Sequence, residues 1–289
     1  LTTFIGIDLG GARGKTTAVA RLRADGDRVS VEAVRTRHPS GQPWQDELVA
    51  ELADALPADR VLAINAPLTV PACVRCPRAH CPGADRCDDV TAVWLRTEGA
   101  AIASQALEED LDRIVAVSSS STSSSTTTVG DRPGPRLLPY VHRASEVVLS
   151  FRDNILPRAC TGSSCGPIAA RAAHLTRVLR RLGFTLNRDL IEVSPRATVH
   201  ALFGADAARG YKRDADPWQT RADIVEGLDG LAFARTSGLS KEEVLRNDHC
   251  FEALLSAYTA FLRQRDGWQL PDDEVFAEDG YIWAPAPRP

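Results

Sequence analysis

The sequence predicts a mixed α/β fold, and three observations carry that prediction. Apolar, β-branched runs of strand length alternate with amphipathic stretches of helical period. The first three strand runs follow one another directly, and a helix then leads to a fourth. At 289 residues, 44% hydrophobic and 25% charged, the chain can bury a sizeable core.

Taken in order, Thr3 to Leu9 reads as the first strand, with Asp8 near its end. Thr16 to Leu22 and Val29 to Val34 read as the next two, joined by the turn Ala24-Asp25-Gly26-Asp27. Trp44 to Leu56 is an amphipathic helix. Val61 to Asn65 is a short buried strand, ended by Ala66-Pro67 because proline cannot continue a ladder. Three meandering strands followed by a helical crossover to a parallel strand is the opening of a ribonuclease-H-like sheet. Asp8 and Asn65 then emerge together at the carboxyl edge, where open α/β sheets bind ligands.

Further on, Ile168, Ala172, Leu175, Val178, Leu179 and Leu182 share one face of a helix. Asp189 to Val193 reads as a fifth strand carrying Glu192, and Asp248 to Leu262 as the last core helix. The expectation is a single ribonuclease-H-like domain over residues 1–289, with a mixed five-stranded sheet and flanking helices. It carries an inserted four-cysteine loop over 70–92 and a low-complexity mobile insertion over 117–136. Ser118 to Thr128, nearly all serine and threonine, offers nothing to bury.

Composition narrows the function classes. The net charge of −4 excludes a globally basic nucleic-acid-binding surface, so any such contact uses a local patch. Nothing approaches 18 consecutive apolar residues, so no membrane span is expected. The N-terminus opens directly into a strand pattern, which reads as no secretion signal and a cytoplasmic location.

Carboxylates supply the main candidate site. Asp8 ends the first strand, Glu192 lies in the late strand, and the last helix carries Asp248, His249 and Glu252. At about 100° per residue, Asp248 lies roughly 60° and Glu252 roughly 100° from the centre of the apolar face. Both then occupy one shoulder of the packed stripe, able to face the sheet edge. Clustered carboxylates suit Mg²⁺ or Mn²⁺, hard cations that prefer oxygen ligands. Such ions stabilise attacking and leaving oxygens in phosphodiester cleavage. The plainer alternative is that these acids are solvated, with Asp248 capping a helix.

Several short motifs carry a family resemblance. They are Gly6-Ile7-Asp8-Leu9, Ala63-Ile64-Asn65-Ala66-Pro67-Leu68, Ile191-Glu192-Val193-Ser194-Pro195-Arg196-Ala197, Tyr211-Lys212, Asp248 through Ala253, and Gly280-Tyr281-Ile282-Trp283-Ala284-Pro285. In order and spacing the chain resembles domain-of-unknown-function family 429, whose members are predicted nucleases of ribonuclease-H-like fold. The resemblance implies an acidic, metal-dependent site built from Asp8, position 65, Glu192 and the last-helix acids. The chain departs from the family pattern in two places. It has Asn65 where the family has Asp, and Glu252-Ala253 where the family has Asp-Ala. Asn65 can offer a carbonyl oxygen but no charge. His249 and Glu252 resemble the paired positions that resolvase-like relatives use for a second metal.

Two rival motifs fit less well. Gly14-Lys15-Thr16 suggests a phosphate-binding P-loop, but that motif needs glycine where this chain has Leu9. Gly6 to Gly11 also resembles the phosphate loop of actin-like phosphotransferases. Those proteins need a second, duplicated domain and a further glycine-rich motif, and neither is seen. Arg13 and Lys15 remain candidates for contact with substrate phosphates.

Four of the seven cysteines crowd into Cys73-x2-Cys76-x4-Cys81-x5-Cys87. Such a loop can close tetrahedrally around Zn²⁺, and the same residues can hold a [4Fe–4S] cluster. Cys160 and Cys165 are a weaker pair, and Cys250 reads as a small core residue. The function expected is metal-dependent hydrolysis of a nucleic-acid phosphodiester by Asp8, Asn65, Glu192, Asp248, His249 and Glu252. The alternative is a non-catalytic nucleic-acid-binding protein with a degenerate site, in which the cysteine loop is the reader.

Overall fold

The computed structural model describes residues 1–11, 16–118, 136–155, 160–162, 165–234 and 241–286. The insertion expected at 117–136 lies, but for its ends, outside these residues, as do Arg13 and Lys15. One mixed sheet has seven strands, two more than the sequence predicts. They are β1 (Thr3–Asp8), β2 (Ala18–Asp25), β3 (Arg28–Arg35), β4 (Arg60–Asn65), β5 (Leu190–Val193), β6 (Leu231–Phe233) and β7 (Ile282–Trp283). Their order across the sheet is β6-β3-β2-β1-β4-β5-β7. β2 runs antiparallel to β1 and β3, and every other neighbouring pair is parallel. The two additional strands are the sheet's edges. At three and two residues they are too short to show a hydrophobic period, which is why the sequence does not mark them.

The expected hairpin forms between Asp25 and Arg28, with Gly26 at φ +61° supplying the left-handed backbone the turn requires. β2 begins two residues later than predicted. Thr17 instead turns its hydroxyl to the Gly10 amide at 3.0 Å, holding the ends of the β1–β2 loop together.

Side chains alternate across the sheet, and each face is covered. On one face, helices α1 (Asp46–Asp54) and α2 (Gly166–Arg181) pack Val49, Ala53, Ala172 and Leu175 against Ile5, Ile7, Leu62, Ile64 and Leu190. On the other face lie α3 (Pro195–Arg213), α4 (Pro217–Glu226) and α5 (Asp248–Arg265). There Phe4, Ala20, Ala63, Ile191 and Val193 meet Phe251, Leu254 and Phe261. α5 is buried on every side from Cys250 to Leu262, because the sheet covers one flank and α3 and the short helix Lys241–Arg246 the other. Two of its buried hydroxyls bond within the helix: Ser256 and Thr259 each donate to a carbonyl one turn back at 2.8 Å.

A third apolar cluster joins Trp94, Leu95, Ala144, Val147 and Val148 to Val275 and Phe276, beyond the β5–β7 side of the sheet. Among the described residues no helix is long and apolar enough to cross a membrane.

Candidate active site at the carboxyl edge

Asp8 is the last residue of β1 and Asn65 the last of β4, and the two strands pair these residues directly. Asp8 has the same strand parity as Phe4 and Gly6, and Asn65 the same as Val61 and Ala63, so both face α5. Both are buried. The Asn65 amide donates to Asp8 Oδ1 at 2.8 Å. A carboxylate only accepts, so this contact fixes the amide nitrogen, not its oxygen, towards Asp8.

α5 brings the third member. Asn247 caps the helix, accepting from the His249 and Cys250 amides at 3.0 and 3.2 Å. The cap aims the first turn at the sheet edge, and His249 Nδ1 lies 2.6 Å from Asp8 Oδ2. The Asp8 hydrogen bond raises the His249 pKa, outweighing partial burial, which opposes it. With Nδ1 carrying the shared proton, Nε2 of the neutral ring keeps its lone pair.

Asp248 and Glu252 stand beside this dyad and share a cation. Lys212 Nζ, from the end of α3, lies 2.7 Å from Glu252 and 4.0 Å from Asp248. The Tyr211 hydroxyl donates to Glu252 at 2.8 Å, and buried Arg221 holds the Tyr211 carbonyl at 2.7 Å. Tyr211 and Lys212 carry no periodic signal that marks them as site residues. Their hint of a role in the sequence is that Tyr211-Lys212 is among the motifs that carry the family resemblance.

Glu192 does not join this group. It pairs with Ile64 in the sheet, and Ile64 faces α1 and α2, so the Glu192 side chain leaves the opposite face from Asp8. There Arg143 grips it bidentately at 2.8 and 2.7 Å, and the Leu68 amide adds a bond at 2.8 Å. Arg143 is fully buried and also donates to Glu146 at 2.9 Å. Burial disfavours its charge, but the Glu192 and Glu146 carboxylates outweigh that and hold its pKa well above the usual value. Asp279, also fully buried, accepts from the Ala144 amide at 2.6 Å and from Arg75 at 3.0 Å. Burial pushes its pKa up to about 6. Both faces of β5 are covered, so no polar alternation in its sequence reveals which way Glu192 points.

A cleft of about 350 Å³ opens near the dyad, lined by Thr16, Thr17, Thr36, Arg37, Trp44 and Asn247. Its wall is braced by Arg171, which reaches from α2 to Asp46 at 2.7 Å and Thr17 at 2.8 Å. The cysteine loop lies elsewhere, between β4 and the Trp94 cluster. Cys73, Cys76 and Cys81 are exposed and Cys87 is buried. Cys160 and Cys165 are buried and in no disulfide, and burial pushes Cys160 up to about 11. Cys250 is buried on α5 and is likewise pushed up to about 11 by burial. Among the described residues, no three His, Cys, Asp or Glu side chains form a group that could hold a metal ion as they stand.

A family model described as a protein of unknown function (DUF429) matches residues 6–275. No curated protein and no solved structure matches the chain.

Proposed function

This chain belongs to the DUF429 family, and from that premise we propose that it is a cytoplasmic, metal-dependent nuclease that hydrolyses nucleic-acid phosphodiesters at the β1–β4 edge. One observation carries the reading. Three elements far apart in sequence bring Asn65 and His249 each into hydrogen-bond contact with Asp8 at the carboxyl edge of two adjacent parallel strands. The reading takes β3-β2-β1-β4-β5 as a ribonuclease-H-like core, with β6 and β7 as edge additions.

The donors suit a hard cation in kind. Asp8, Asp248 and Glu252 offer carboxylate oxygens, and the Lys212 ammonium already stands between Asp248 and Glu252 as a resident positive charge. Asp8, Asp248 and Glu252 would hold Mg²⁺ or Mn²⁺, with Asn65 as a neutral oxygen donor, and the ion would supply Lewis-acid charge compensation at the phosphate. The chain's own groups do the rest. Asp8 orients His249, whose Nε2 accepts a proton from attacking water. Lys212 offsets charge on the phosphate oxygens, and the threonines and Arg37 of the cleft supply donors for the sugar–phosphate backbone.

A second reading has its own observation. Asn65 presents its amide nitrogen to Asp8, so it acts here as a hydrogen-bond donor and not as an oxygen ligand. That arrangement favours a non-catalytic nucleic-acid-binding protein built on a degenerate site. Calorimetry with Mn²⁺ and a cleavage assay on fluorescent DNA and RNA separate the two, using wild type, Asp8→Ala and Asn65→Asp. The nuclease reading expects Mn²⁺ binding that Asp8→Ala abolishes and cleavage that Asn65→Asp raises. Polynucleotide binding with no Mn²⁺ binding in any variant would overturn it in favour of the binding protein.

A further inference from the structure

The cysteine loop has no part in the edge site, yet its conformation needs an explanation. From Cys73 to Arg86 no residue is buried, so the segment has no core of its own. Its backbone is nevertheless well framed. The Cys73 amide donates to the Pro139 carbonyl at 3.0 Å. Arg96 donates to the carbonyls of Ala84 and Cys87 at 2.6 and 2.7 Å. Arg86 donates to the Pro82 carbonyl at 3.1 Å.

This framing gathers the four cysteines around one place. Cys73, Cys76, Cys81 and Cys87 line a single cavity of about 150 Å³. None is in a disulfide. At Cys81-Pro82-Gly83 the chain turns tightly, with Gly83 at φ +93°. A Cβ there would meet nothing, so the glycine serves the backbone angle and not close packing. The turn points the Gly83 N–H at Cys81 Sγ, 3.4 Å away, where it donates to the sulfur. An N–H aimed at sulfur favours the thiolate, the form in which cysteine binds metal.

We propose that Cys73, Cys76, Cys81 and Cys87 bind one Zn²⁺ tetrahedrally, as a structural centre separate from the carboxylate edge. No three of the thiols form a ligating group as they stand, so binding rotates the exposed side chains inward onto the ion. Each thiol gives its proton to solvent and its sulfur lone pair to zinc, and no electron is transferred. All four positions are filled by protein, so the centre has no open position for catalysis. The arginines around the loop offset the net negative charge of a four-thiolate centre.

The test is elemental analysis of the full chain, purified without added metal under reducing, oxygen-free conditions. The expected result is one zinc per chain and no iron. A thiol-specific mercurial should release that zinc, and protease cleavage within residues 73–87 should rise with the release. Replacing zinc by Co²⁺ should give the intense visible absorption of tetrahedral thiolate coordination. Cys81→Ser should lower zinc retention, and Asp8→Ala should leave it at one, which keeps this result independent of the nuclease reading. Iron with inorganic sulfide, or a metal-free chain whose four loop thiols react freely and which takes up no added Zn²⁺, would overturn the proposal.

Discussion

Gly6 of β1 and Ala253 of α5 approach so closely that a Cβ at Gly6 would lie 2.0 Å from the Ala253 carbonyl oxygen and 2.4 Å from the Ala257 amide nitrogen. The contact sets how deep α5 rests on the sheet. Asp8 is two residues on from Gly6 along the same strand face, and His249 is one helical turn before Ala253. The glycine therefore fixes the separation that the Asp8–His249 hydrogen bond needs.

Gly6→Ala must lift the helix, because the clash is with backbone and not with a side chain that can rotate away. Overpacking of this kind costs roughly 1–3 kcal/mol. Urea denaturation should show a lower midpoint with little change in slope. Where the variant stays folded, its Mn²⁺ binding should weaken as well. An unchanged midpoint would mean that α5 is free to shift without cost.

Glu192 and Arg143 are a structural pair, so their variants should act on stability. Removing one partner of a buried, hydrogen-bonded ion pair typically costs about 3–5 kcal/mol. Arg143→Ala should cost about that much, because it strands Glu192 and Glu146 away from water. The double variant Arg143→Met with Glu192→Leu should recover part of the loss. Glu192→Gln should leave Mn²⁺ binding at the edge site intact. Loss of that binding in a folded Glu192→Gln protein would place Glu192 in the site after all.

The central strands and the covering helices are legible in the sequence because each has a strong period or an apolar run. The Asp8–Asn65 pairing follows from strand order alone, and β4's direct pairing with β1 bears it out. The side on which Glu192 emerges is not legible, since it depends on a register that only the folded sheet sets. Arg143, Glu146 and Asp279 are hidden for another reason. They are ordinary surface residue types, with Asp279 far in sequence from the other two, that are buried only because opposite charges meet there. Tyr211 and Lys212 reach Glu252 from the far end of α3, a contact that no local pattern encodes.

Lys212 holds the position between Asp248 and Glu252 that a divalent ion would also favour. On the nuclease reading, Lys212→Gln removes a competing positive charge and should raise Mn²⁺ affinity severalfold in calorimetry. The same change should weaken polynucleotide binding, because one phosphate contact is lost. Unchanged Mn²⁺ affinity would show that the ammonium and the ion do not compete.

Asp279 gives a pH dependence whose sign can be worked out. Burial raises its pKa from the ordinary 3.8 to about 6, with the Ala144 amide and Arg75 opposing the shift. The folded state therefore binds this proton more tightly than the unfolded chain does. The stabilisation is fully present below about pH 4 and is lost as pH rises through about 6. At 1.36 kcal/mol per unit, a shift of about two units is worth on the order of 3 kcal/mol. Asp279→Asn cannot ionise and should lack this dependence, while the other carboxylates titrate alike in both proteins and cancel. Measured by urea denaturation at steps from pH 4 to 7.5, the stability of Asp279→Asn relative to wild type should rise by about that amount, with most of the change between pH 4 and 6. A flat difference across that range would mean that Asp279 stays ionised in the folded protein, held by Arg75 and the Ala144 amide.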